Sequence, residues 1–114
     1  MRVTTDFYVS ALLRRVFSAG GFGAVLRRGG DSAGTVFLIV RGRMGDAVLY
    51  GPAPQSGYDD ARPDDRLFSE LLKSDDEATI SARLAREEKF DSDLWVVEIE
   101  PAGNADGLFA VMTP

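Results

Sequence analysis

Cysteine and histidine are both missing from the 114 residues. Without thiols the chain cannot form disulfides, bind zinc through Cys, hold an iron–sulfur cluster or use thiol catalysis. Without imidazole it lacks the commonest general base and transition-metal ligand, so His-based triads are excluded. Long apolar runs are also scarce. The longest, Val36-Phe37-Leu38-Ile39-Val40, is far short of a membrane span. The opening MRVTTDFYVSALLRR has no uninterrupted apolar stretch followed by small residues, so no signal peptide is expected there. These absences lead to the expectation of a cytoplasmic protein with no membrane contact, and no cofactor is implied.

What remains is apolar residues, arginines and carboxylates. Apolar types make up 45% of the chain, enough to build one core without covalent staples, so a single domain over residues 1–114 is expected. The net charge is −5, unevenly spread. Residues 1–50 carry seven Arg against three Asp, a net +4, whereas residues 51–114 carry six basic and fifteen acidic residues, a net −9. An acidic total argues against a general nucleic-acid binder, which needs a net basic face. Either the two halves attract each other across the fold, or the arginines form a patch for an anionic partner.

The first element is a helix. Thr4, Thr5 or Asp6 can cap it, and Val9, Leu12, Leu13, Val16 and Phe17 recur at helical spacing before Gly20-Gly21 stops it. Ala24–Arg28 reads as a short strand. Thr35–Arg41 is a strong strand with apolar residues on both faces, hence central. Gly42–Asp46 reads as a hairpin turn, Ala47–Tyr50 as the returning strand, and Gly51-Pro52-Ala53-Pro54 as its end. Residues 51–65 form an acidic Pro/Gly loop expected to be mobile. Arg66–Lys73 fits a strand or a short helix, and the strand is preferred. Ser74-Asp75-Asp76-Glu77 reads as a capping box opening a second helix with Ile80 and Leu84 on its apolar stripe. Leu94–Glu100 is a strand with Trp95, Val97 and Ile99 on one face. Leu108–Met112 adds an edge strand or a docked tail. The fold class expected is α+β: a mostly antiparallel sheet of four to five strands with two helices.

Three stretches taken together resemble a known family: Val9-Ser-Ala-Leu-Leu-Arg-Arg15, the segment ending Leu49-Tyr50-Gly51-Pro52-Ala53, and Arg86-Glu-Glu-Lys-Phe-Asp-Ser-Asp-Leu-Trp-Val-Val-Glu98. The resemblance is to the domain of unknown function 1491 family, small alphaproteobacterial proteins, and it spans nearly the whole chain. Ser92 stands where the family pattern expects proline. The resemblance implies an uncharacterised bacterial cytosolic protein. It brings no activity, catalytic residue or cofactor.

Several groups could carry chemistry. Gly20-Gly21-Phe22-Gly23 follows a helix and precedes a strand, the reverse of a phosphate loop, and is read as a helix stop. Asp59-Asp60 and Asp64-Asp65 lack the spacing and bend glycine of an EF-hand and are read as solvated loop residues. Arg14, Arg15, Arg27, Arg28, Arg41 and Arg43 are the candidate anion-binding set, since guanidinium forks grip phosphate or carboxylate groups. The competing reading is internal pairing with the acidic half. Glu88, Asp91 and Asp93 are candidate acid/base groups for an enzyme acting on a small anionic substrate. Against that, Asp91 and Asp93 suit a turn, bonding local amides or Arg86. Trp95, the sole tryptophan, fits an alternating core face better than an exposed platform. No metal site is expected. The reading preferred from sequence is a non-catalytic interaction or ligand-binding domain, with a homodimer or another protein as its partner.

Overall fold

The structure is a computed structural model, described over residues 3–54 and 66–112. Helix α1 (Thr5–Ser18) leads into strands β1 (Phe22–Arg27), β2 (Val36–Arg41), β3 (Ala47–Pro52) and β4 (Leu67–Ser74). Helix α2 (Glu77–Phe90), β5 (Trp95–Glu100) and the two-residue β6 (Ala110–Val111) follow. The six strands form one sheet in the order β1-β5-β2-β3-β4-β6.

The class is α+β as expected, but the sheet is mixed and has six strands. β1 with β5, β2 with β3, and β3 with β4 pair antiparallel, whereas β2–β5 and β4–β6 are parallel. The parallel β2–β5 pair has a definite cause. After the β2-β3-β4 meander, α2 carries the chain back across one face, and β5 enters between β1 and β2 in the direction of β2. A crossover of that length is what parallel pairing requires.

Side-chain alternation splits the core in two. On one face Val36, Leu38, Trp95, Val97 and Ile99 pack with Tyr8, Val9, Leu12 and Val16 of α1. On the other, Phe37, Ile39, Leu49, Leu94 and Val96 pack with Ile80 and Leu84 of α2. The unbroken apolar run of β2 is therefore what a strand covered on both faces needs. Each such fully buried side chain contributes about 1.5–3 kcal/mol.

Local details follow from the residues, with some revisions. Gly45 takes φ +88° in the β2–β3 hairpin, and Gly42 N–H donates to Asp46 O at 2.9 Å. β1 begins at Phe22, two residues before the expected start. β3 continues through Gly51 and Pro52, where the sequence suggests its end. Pro52 is the last residue of the strand, where a missing donor is tolerated. Segment 66–73 is strand from Leu67 on, with β4 running to Ser74. The mobile loop expected over 51–65 falls, for residues 55–65, outside the described residues.

The capping box takes another form: Asp76 is the N-cap and accepts from Ala78 N–H at 3.0 Å. Ser74 Oγ accepts from Asp76 N–H, and Glu77 turns to a partner on the sheet instead of reaching back. Phe17 leaves the core stripe. It is exposed and meets Phe22 edge to face, with ring centroids 6.1 Å apart.

Candidate functional site

Arg41 ends β2 on the α2 side. Its Nε donates to Glu98 Oε2 of β5 at 2.6 Å, and its Nη1 and Nη2 donate to both carboxylate oxygens of Glu77 at 2.6 Å each. A planar fork can satisfy two carboxylates in this way and an ammonium cannot. Glu77 opens α2, so the pair ties the helix N-terminus to the sheet. The hydrogen bonds from Arg41 hold the Glu77 carboxyl below its ordinary pKa, and Glu77 followed by Glu98 raises that of Arg41.

Arg27 does the same for the other end of α2. From β1 its Nη2 donates to Ser92 O at 2.7 Å, and its Nη1 lies 3.6 Å from Glu88. Its Nε is buried with no hydrogen-bond partner. Arg27 and Arg41 are not on neighbouring strands, because β5 separates β1 from β2.

The other arginines go elsewhere. Arg15 donates twice to Leu108 O, at 3.1 and 2.9 Å, pinning the C-terminal segment to α1. Arg28 bonds Asp31 at 2.9 Å and lies 4.8 Å over the Trp95 ring. Arg43 sits in the hairpin turn beyond β2 and donates to Ala102 O at 2.8 Å, so it shares no strand face with Arg41. Arg14 lies exposed on α1. The two α1 arginines thus belong to the helix on one side of the sheet, while Arg27 and Arg41 reach α2 on the other.

Of the candidate acids, Glu88 meets Arg27. Asp91 lies just past α2 and accepts from Asp93 N–H at 3.0 Å, a local turn bond. Asp93 lies against Gly30, whose N–H donates to Asp93 O at 2.9 Å, while Trp95 Nε1 donates to Gly30 O at 2.8 Å. Trp95 is buried in the α1-side core. Among the described residues no three carboxylates gather closely enough to hold a metal ion. Three of the five ion pairs found there join an arginine of the first half to an acid of the second: Arg27–Glu88, Arg41–Glu77 and Arg41–Glu98.

A different surface is open. Among the described residues β1 is an outer strand of the sheet with β5 as its one neighbour. It leaves Phe22 58%, Val25 39% and Leu26 54% exposed. Phe17 of α1 extends this apolar surface through its contact with Phe22. Helical spacing places Phe17 on the core stripe, and the strand signal begins only at Ala24, which leaves Phe22 outside it. Their exposure follows from β1 being at the edge, which depends on where β5 enters.

Comparison with known proteins agrees with this architecture. Residues 3–108 match the family described as protein of unknown function (DUF1491). The solution structure of protein Atu0922 from A. tumefaciens is 46% identical, covers 100% of this chain and 98% of its own, and superposes with a TM-score of 0.84. A crystal structure of a DUF1491 family protein from Caulobacter crescentus is 31% identical over 99% of this chain and 100% of its own, with a TM-score of 0.77. No curated protein matches.

Proposed function

The chain belongs to the DUF1491 family, whose function is unknown, and we propose that it is a non-catalytic interaction domain that binds a protein along the open edge of β1. One observation carries this reading. Among the described residues the edge strand presents exposed apolar side chains beside a backbone edge with no ladder partner, the combination used in recognition by strand addition. The arginines support it indirectly. Arg15, Arg27, Arg28, Arg41 and Arg43 all have protein partners, which leaves a small anionic ligand little to grip. A net charge of −5 weighs against nucleic acid as the partner. The domain is taken to act in the cytoplasm. It has no cysteine, and no described helix is long and apolar enough to cross a membrane.

Photo-crosslinking in bacterial cells tests the reading. A photoreactive phenylalanine analogue replaces Phe22 or Leu26, and Met44, 92% exposed in the hairpin, is the control position. Adducts are expected at the β1 positions at least about five-fold above the control, since a specific interface concentrates its contacts on one patch. Equal labelling at all three positions would remove the edge as the binding surface.

A further inference from the structure

We infer that the partner at this edge is a second copy of the same chain, joined by antiparallel β1–β1 pairing about a twofold axis through Ala24. The inference rests on the interaction-domain reading and names its occupant.

The two open edges of the sheet differ. On the far side β6 pairs only with Leu67 and Phe68, so among the described residues that edge of β4 has no partner from Ser69 onward. That stretch carries Glu70, Lys73 and an irregularity in register opposite Leu49/Tyr50. Charged side chains and bulges are the usual protections against edge pairing. β1 has no charged residue from Phe22 to Leu26, and its one bulge, between Val25 and Arg27, falls at the two ends of a symmetric pairing and leaves Gly23 to Val25 regular. It also has no acidic residue, so two copies of a chain with net charge −5 can meet there without carboxylates facing each other.

The sequence of β1 is self-complementary in one register. Directly opposed residues of an antiparallel pair share a face, so a symmetric pairing must be centred on a residue. Centring on Ala24 sets its small side chain against its own copy on the axis. Gly23 then faces Val25 of the other chain, and Phe22 meets Leu26. Every exposed apolar residue of the strand gains an apolar or small partner, at both ends, by symmetry. Centring on Val25 would instead set Phe22 against Arg28. Centring on Gly23 would leave Leu26 opposite Gly20, beyond the strand. The Ala24 register joins two six-stranded sheets into one. Because the contact is a short ladder, the dimer is expected to be weak, half-formed on the order of 10–500 µM.

The absence of native cysteine makes the geometry directly testable. In full-length Ala24→Cys the two thiols would face each other across the axis, within reach of a disulfide. Under mild oxidation this variant is expected to convert to a reducible covalent dimer at least about ten-fold faster than Met44→Cys. Adding Val25→Lys should slow that reaction about ten-fold, with Trp95 fluorescence confirming that the fold is retained. By sedimentation, the unmodified chain should dimerise as its concentration rises towards about 1 mM. Phe22→Lys should abolish this, and the double variant Phe22→Lys/Leu26→Glu should restore it through paired charges. Cross-linking of Ala24→Cys no faster than that of Met44→Cys, or a strict monomer at the highest concentration, overturns self-pairing. If the photo-crosslinks at Phe22 then capture a different protein, the self-pairing inference fails and the interaction domain stands. If they capture nothing, both fail.

Discussion

Arg41 shows how much one side chain can organise. It stands 23% exposed, with one carboxylate on the sheet and another on the helix. Arg41→Ala leaves Glu98, itself 26% exposed, without its cation, and frees the first turn of α2. A loss of about 1–3 kcal/mol is expected, most of it from the half-buried Glu98 contact, because Glu77 is largely solvated. Arg41→Lys should recover less than half, since an ammonium cannot reproduce the two-pronged contact with Glu77 while also bonding Glu98. The loss should also depend on pH. The folded-state pKa of Glu77 is lowered, chiefly by its hydrogen bond to Arg41. Its stabilisation is therefore complete above the ordinary glutamate pKa, about 4.3, and is lost as pH falls through the lower folded value. Urea unfolding at pH 7 and near pH 3 checks this: the gap between wild type and Arg41→Ala should narrow in acid. A gap unchanged across that range would mean that the Glu77 contact contributes nothing.

At the level of elements, the entry of β5 between β1 and β2 depends on close approach at a glycine. A Cβ at Gly29 would lie 1.9 Å from Asp93 O and 2.5 Å from Leu94 O, so the residues leading into β5 must shift if any side chain is added. Gly103 has nothing within 4 Å of the same position. Gly29→Ala is expected to cost about 2–4 kcal/mol and Gly103→Ala less than about 0.5 kcal/mol, as judged by thermal unfolding. Equal melting temperatures would show that the backbone there yields easily. This site also marks the limit of what sequence could reveal. Strand β2, the hairpin at Gly42–Asp46, both helices and the Trp95 strand are written in local periodicity and turn chemistry, and all are present. That Gly29 needs to be glycine depends on a backbone sixty-odd residues away, which no local pattern encodes. Likewise, the alternation of Leu94, Val96, Glu98 and Glu100 marks a face that turns polar, but not that Arg41 would meet Glu98 there. The capping box at Ser74 competes with a tertiary ion pair, and the ion pair takes Glu77.

For the whole molecule, one late strand decides how the layers hold together. β5 supplies Trp95, Val97 and Ile99 to the core beneath α1 and Leu94 and Val96 to the core beneath α2, directly or from the residue just before the strand. Among the described residues it is also the one ladder partner of β1 and one of the two partners of β2. Most of its contacts join residues far apart in sequence, so the cores close only after the chain has doubled back through α2. A fragment of residues 1–92 would keep both helices and the β2-β3-β4 meander, yet would leave β1 unpaired and two apolar faces open. That fragment is expected to lose cooperative unfolding altogether, with helical far-UV signal reduced and a featureless thermal trace. A sharp transition in the fragment would show instead that the meander and α2 form a self-sufficient core. The open edge of β1 would then be a consequence of late β5 docking, and not a surface fixed from the start.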